Sequence, residues 1–99
     1  MRPIHIAQLD KARPVLVLTR ELVWPHLNSV TVAPITTTVR GLSTEVPVDA
    51  ANGLASASVV SCDNVTTIPK AALGEQIGRL LDTQEGLLSQ AIRAAFDLD

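Results

Sequence analysis

Two short stretches hold the residue types best suited to chemistry. Arg13 opens the apolar run Arg13-Pro14-Val15-Leu16-Val17-Leu18, and Thr36-Thr37-Thr38 follows a second run, Val30-Thr31-Val32-Ala33-Pro34-Ile35. A guanidinium is permanently charged and presents a rigid fork of donors, to which hydroxyls add neutral ones. If the two runs lie side by side and antiparallel, Arg13 meets the threonines at one end of a sheet. Such a grouping suits an anionic ligand such as phosphate. Threonine also favours strands for its shape, and an arginine before a strand is often only a surface charge. Composition alone therefore does not assign this pair a role.

Other chemistries find little to stand on. The chain contains no HExxH, no paired-cysteine motif and no GxxxxGK[ST], so zinc and P-loop readings lack a motif. His5 and His26 are isolated, and a lone histidine in a strand or loop is usually structural or solvated. Cys62 at a strand end reads as a small buried hydrophobe rather than a nucleophile. Ser43, Ser56, Ser58 and Ser61 belong to no G-x-S-x-G elbow.

The elements that must position Arg13 and the threonines belong to a chain of 99 residues, expected to form one domain over 1–99. Trp24 and Phe96 are its two aromatics, so the core must be aliphatic and base stacking on aromatic platforms is excluded. The net charge of −2 argues against holding nucleic acid by bulk charge. Residues 1–44 carry five bases against two acids, and residues 45–99 three bases against eight acids. An anion is therefore expected at the first half. Cys62 has no disulfide partner, and neither a leader pattern nor a run of 18 apolar residues is present. The expectation is a cytoplasmic protein with no membrane contact.

Ile4–Leu9 alternates and predicts a first strand, with Asp10-Lys11-Ala12 as a tight connection. Pro14–Leu18 is apolar on both faces, as in the middle of a covered or closed sheet, with Pro14 at the strand's first residue. Residues 20–29 are polar and broken by Pro25, which predicts a loop holding at most a helical turn. Ser29–Thr36 is the third strand, and Pro34 within it implies an edge, a bulge or an end. Gly41 marks a turn before a fourth strand, Ser43–Val48. Ala57–Cys62 and Val65–Ile68 give two more, a punctuation that favours a barrel or sandwich. Glu75–Leu81 has mixed signals, but Gly74 and Gly78 tip it toward strand. Asp82-Thr83-Gln84-Glu85 resembles a capping box with Asp82 at the cap, and Leu88, Ala91, Ile92, Ala95 and Phe96 form a helical stripe. A terminal helix over 84–96 follows.

Three segments, Arg13–Leu18, Val30–Thr36 and Ser61-Cys62-Asp63-Asn64-Val65-Thr66-Thr67-Ile68, stand in the order and spacing of the MazF/PemK toxins. These are the endoribonucleases of type II toxin–antitoxin pairs. The chain resembles that family from Lys11 to Phe96, through an RPV(L/V)V strand, a strand ending in (A/P)IT, and an acid–amide pair before a (T/S)-I strand. The resemblance implies a mainly β (α+β) fold, an SH3-like small barrel of the CcdB/PemK type with a C-terminal helix. It also implies a homodimer and a cognate MazE-like antitoxin. By position it makes Arg13 and Thr36 catalytic. It assigns Asp63-Asn64, where Asn replaces the commoner Gln, to RNA contact. Thr37, Thr38 and Arg40 are expected to hold neighbouring phosphates.

Single-stranded RNA brings its own nucleophile, the 2′-OH beside the scissile phosphate, so the implied reaction needs no cofactor and no metal. The protein must align that hydroxyl with the leaving 5′-oxygen and stabilise the charge of the transition state. Arg13 would donate to the non-bridging oxygens and supply a proton to the leaving oxygen, with Thr36 as a second donor. Products are a 2′,3′-cyclic phosphate and a 5′-OH. The chain departs from the family in its short first loop, Ala7 to Ala12, so the family's cleavage sequence does not carry over. Two other readings compete. CcdB toxins share the fold and poison gyrase through a C-terminal Trp-Gly-Ile, whereas this chain ends Ala95-Phe96-Asp97-Leu98-Asp99. A plain small-barrel binding module would draw on the acidic net charge.

Overall fold

The first apolar run does become a strand covered on both faces. The computed structural model describes residues 2–98. It contains β1 (Pro3–Gln8), β2 (Ala12–Val17), β3 (Ser29–Thr36), β4 (Glu45–Val48), β5 (Ser58–Ser61), β6 (Thr66–Pro69), β7 (Leu73–Arg79) and one helix, α1 (Glu85–Ala95). The strands pair in the order β4-β5-β3-β2-β1-β7, with β6 joined to β3. Every pairing is antiparallel. Leu16 faces the core under α1, with Ile4, Ala33, Val46, Val60, Leu88 and Ala91. Val15 and Val17 face the other way, with Val30, Val32 and Ile68, under a cover that includes Trp24 and Leu73. That two-sided burial is why β2 does not alternate in polarity. The result is a curled sheet with a terminal helix, the small-barrel α+β architecture expected from sequence. No helix among the described residues is long and apolar enough to cross a membrane.

The curl arises on β3. Its first half, Ser29–Val32, pairs with β6, and its last residues, Ile35 and Thr36, pair with β5. Leu18 N–H donates to Thr31 O at 2.8 Å, which makes residues 31, 33 and 35 the ones bonding toward β2. Pro34 therefore points its missing N–H to the other side, into the gap between β6 and β5. The proline sits inside a central strand, at the handover between two partners, where its lack of a donor costs least. Pro14 is placed differently from expectation. It lies within β2 opposite Ile6, not at the strand's start. The next hydrogen-bonded pair of the β2–β3 ladder would be Pro14 with Ile35, and the ladder stops one step short, at Val15 and Pro34. Two prolines thus fork the sheet where β2 begins and β3 ends.

Several boundaries move. β1 runs from Pro3 to Gln8, and β2 starts at Ala12 inside the expected connection. The polar segment holds a 3-10 turn, Glu21–His26, with Pro25 inside it. β4 begins at Glu45, because Ser43 and Thr44 belong to a turn closed by Glu45 N–H on Leu42 O at 3.1 Å. β5 ends at Ser61, and Cys62–Asn64 is a 3-10 turn. β6 is shifted one residue, to Thr66–Pro69.

The strand reading at Glu75–Leu81 holds as β7, on the edge beside β1. Gly78 is there for room: a Cβ on it would stand 1.8 Å from Asn52 O, and one on Gly53 2.0 Å from Ile77 O. The helix is Glu85–Ala95, shorter than 84–96, and Asp82 is not its cap. Instead Gln84 turns back. Its Oε1 accepts from Leu81 N–H at 2.9 Å and from Asn52 Nδ2 at 2.7 Å. A side-chain amide that also reaches the buried Asn52 displaces the carboxylate, which stays exposed.

Candidate functional site

At the fork the β2–β3 register, counted on from Val15 and Pro34, sets Arg13 across from Thr36. A cleft of about 490 Å³ opens there. Arg13, Thr36, Thr38, Arg40, Asp63 and Asn64 all line it, brought together from β2, β3, the loop after β3 and the turn after β5. Thr37 is exposed and outside the lining. The lining also includes Leu9, Pro34, Leu42, Glu45, Ser61 and Thr66. Among these Glu45 carries a charge, and only its spacing from Gly41, a turn glycine, could have marked it in the sequence.

Arg13 is held side-on. Its Nε donates to Asp10 Oδ1 at 3.1 Å and its Nη2 to Asp10 Oδ2 at 3.3 Å. Asp10 in turn accepts the Lys11 N–H at 3.0 Å, so the short first loop supplies an anchored carboxylate. The Arg13 guanidinium first, and the Lys11 N–H second, hold the Asp10 carboxyl below the usual carboxylate range. Two of the five guanidinium N–H groups are thereby occupied, and three remain for a ligand. Thr36 is oriented by its neighbour: Thr38 N–H donates to Thr36 Oγ1 at 3.1 Å. With its oxygen accepting, the hydroxyl keeps its own hydrogen free to donate.

The cleft's carboxylates are engaged elsewhere. Glu45 accepts the backbone N–H of Gly41 at 2.9 Å, of Leu42 at 3.2 Å and of Arg40 at 3.2 Å. Gly41 has φ +73°, the left-handed turn that lets three successive N–H groups converge. Thr44 Oγ1 donates to Asp63 Oδ2, and Asn64 Nδ2 to Ser61 Oγ at 2.8 Å. The free donors of Arg13, Arg40 and Thr36 thus face a polar cleft whose negative charges already have partners. Such a site can bind a phosphodiester and stabilise charge as it builds on the non-bridging oxygens.

Cys62 stands at the base of the same turn but is only 1% exposed. Burial, helped by the neighbouring Asp63 charge, pushes its thiol up to about 11, which removes the thiolate a nucleophile needs. The histidines lie apart from the lining. His5 sits against Trp24, with ring centroids 5.9 Å apart, and its Nδ1 is 2.9 Å from Gly74 O.

Comparison with known proteins identifies the family. Residues 3–96 match the family described as "PemK-like, MazF-like toxin of type II toxin-antitoxin system". Endoribonuclease MazF3 of Mycobacterium tuberculosis is 75% identical over 99 residues, covering 100% of this chain and 96% of the relative. The solved Mycobacterium tuberculosis toxin MazF-mt6 superposes with a TM-score of 0.97 at 74% identity, covering 99% of each chain. A mycobacterial endoribonuclease solved with its cognate antitoxin shares the fold, with a TM-score of 0.87 at 24% identity over 98% of this chain and 93% of that one. With residues 3–96 matched by the family and a relative 75% identical over all 99 residues, the chain belongs to the PemK-like, MazF-like toxins of type II toxin–antitoxin systems.

Proposed function

We propose that this protein is an endoribonuclease toxin that cuts single-stranded RNA by attack of the 2′-OH on the adjacent phosphate, without metal or cofactor. The observation that carries the reading is the shared cleft of Arg13 and Thr36 at the fork of β2 and β3. As the 2′-O–P bond forms and the P–O5′ bond breaks, Arg13 stabilises the non-bridging oxygens and delivers a proton to the leaving 5′-oxygen, while the 2′-OH proton passes to solvent water, from which Arg13 is reprotonated. A guanidinium is a poor base, so the catalytic contribution of Arg13 is charge and proton donation. Thr36 donates to the same phosphate. Arg40 and Thr38, with Thr37 beyond the cleft rim, hold neighbouring phosphates, and Asp63 and Asn64 contact the RNA at the opposite wall. The family's biology supplies the setting: one domain acting as a homodimer in the cytoplasm, restrained by a cognate MazE-like antitoxin.

Incubation of the folded protein with a long single-stranded RNA in EDTA tests the reaction. We expect fragments with 2′,3′-cyclic phosphate and 5′-OH ends, and sequencing those ends reads the cleavage preference as well. Intact RNA under those conditions would sink the metal-free mechanism. Arg13→Ala and Thr36→Ala should each lower cleavage by about 10²-fold or more, in line with loss of an oxyanion donor, with the circular-dichroism spectrum unchanged.

A further inference from the structure

A carboxylate in a cleft meant for a polyanion is a liability, and Glu45 is one. We propose that Glu45 is a positioning residue of the RNA cleft: by gathering the N–H groups of residues 40–42, it holds Arg40 in the wall that grips a nucleotide beside the scissile phosphate. The inference rests on the endoribonuclease reading above.

Three observations carry it. The segment between β3 and β4 belongs to no strand or helix, and its side chains from Thr37 to Ser43 are exposed. Among the described residues, hydrogen bonds at 37–43 beyond those of Glu45's carboxylate are the Thr38 N–H on Thr36 Oγ1 and the turn from Glu45 N–H to Leu42 O. The carboxylate is therefore the main restraint on the stretch that bears Arg40. Second, Glu45 is itself fixed, at the start of β4 opposite Ser61, another residue of the lining. Third, the residue before it ties down the facing wall, through Thr44 Oγ1 on Asp63 and Thr44 O accepting Cys62 N–H at 3.0 Å. One dipeptide thus sets the spacing of both walls. Three N–H donors around the carboxylate also offset its charge, so it repels RNA less than an open glutamate would.

Positioning and simple repulsion predict opposite signs. Removing a merely repulsive carboxylate tightens RNA binding, and removing a positioning one weakens it. We expect Glu45→Ala to raise KM for a long single-stranded RNA about tenfold with kcat within about twofold, and Glu45→Gln to fall between. Because the effect runs through Arg40, the double variant E45Q/R40A should bind no worse than R40A alone. The dependence of log affinity on log salt should flatten by about 0.7 in E45Q, the contribution of one phosphate contact on a single strand. Should E45A not fold, E45Q, which keeps the side chain's shape, carries the test. An unchanged or lowered KM in E45Q, or additive effects with R40A, overturns the proposal while leaving the endoribonuclease reading intact. A folded wild-type protein that neither binds nor cuts RNA overturns both.

Discussion

Asp10 decides how Arg13 meets its ligand, because it occupies two N–H groups on one edge of the guanidinium and so aims the other edge. The pair is open to water, with side-chain exposures of 36% for Arg13 and 73% for Asp10, so it orients more than it stabilises. Asp10→Asn should leave thermal unfolding where it is and lower kcat for RNA cleavage by about tenfold through loss of alignment; equal kcat would show that Arg13 is aimed by something else. Since the Asp10 carboxyl titrates below its usual range, the contact persists at neutral pH and is lost only as pH falls through that lowered value. Cys62 gives the opposite case. Between an ordinary thiol's pKa of about 8.5 and the folded value of about 11, the unfolded chain ionises while the folded one keeps its proton. Stability should therefore fall as pH rises through that window, and Cys62→Ala should flatten the fall in denaturant titrations. Residue types alone made Arg13 and Thr36 candidates, because permanent charge and hydroxyl donors are legible one letter at a time. Their roles came from the family resemblance. Glu45 was not legible, since its partners are backbone N–H groups that no residue name announces.

The edge strand β7 is pinned to the 3-10 turn at Ala50–Asn52 by contact too close for side chains. Gly78→Ala should cost about 2–3 kcal/mol in chemical denaturation, because the new methyl meets backbone atoms that cannot swing away. Asn52 works from the other side of that joint. It is 1% exposed and donates to Arg79 O at 2.9 Å as well as to Gln84. Asn52→Ala would strand several polar groups and cost about 2–3 kcal/mol, with the α1 end loosening first in hydrogen exchange. Periodicity reveals the strands and the helix because burial has a period, and Gly74 and Gly78, poor helix formers, lie in β7. Helix capping is not legible locally because Asp82 and Gln84 both fit a local pattern. The choice of Gln84 depends on Asn52, distant in sequence. Pro34 leaves an edge, a bulge or a strand end open from sequence, since a strand that changes partners midway has no one-dimensional mark.

For the whole molecule, net charge of −2 with the bases gathered in the first half leaves RNA capture to shape more than to bulk attraction. A disordered, acidic antitoxin segment would compete most directly by covering the face around Arg13 and Arg40. Its affinity should then fall with added salt and in Arg13→Ala or Arg40→Ala, measured by calorimetry; a salt-independent complex would put its contact elsewhere. The two prolines at the fork bear on the same face. Hydrogen-bonded strands lie about 4.8 Å apart, too near to admit a phosphodiester between them. Pro14 withholds one of the two donors of the pair that would continue the β2–β3 ladder, and we expect it to act as a spacer that keeps the cleft open. Restoring that donor with Pro14→Val lets the strands zip one step further, toward Arg13 and Thr36. Such a variant should be at least as stable as the parent, with RNA cleavage reduced about tenfold or more, an enzyme inactivated by gaining a bond.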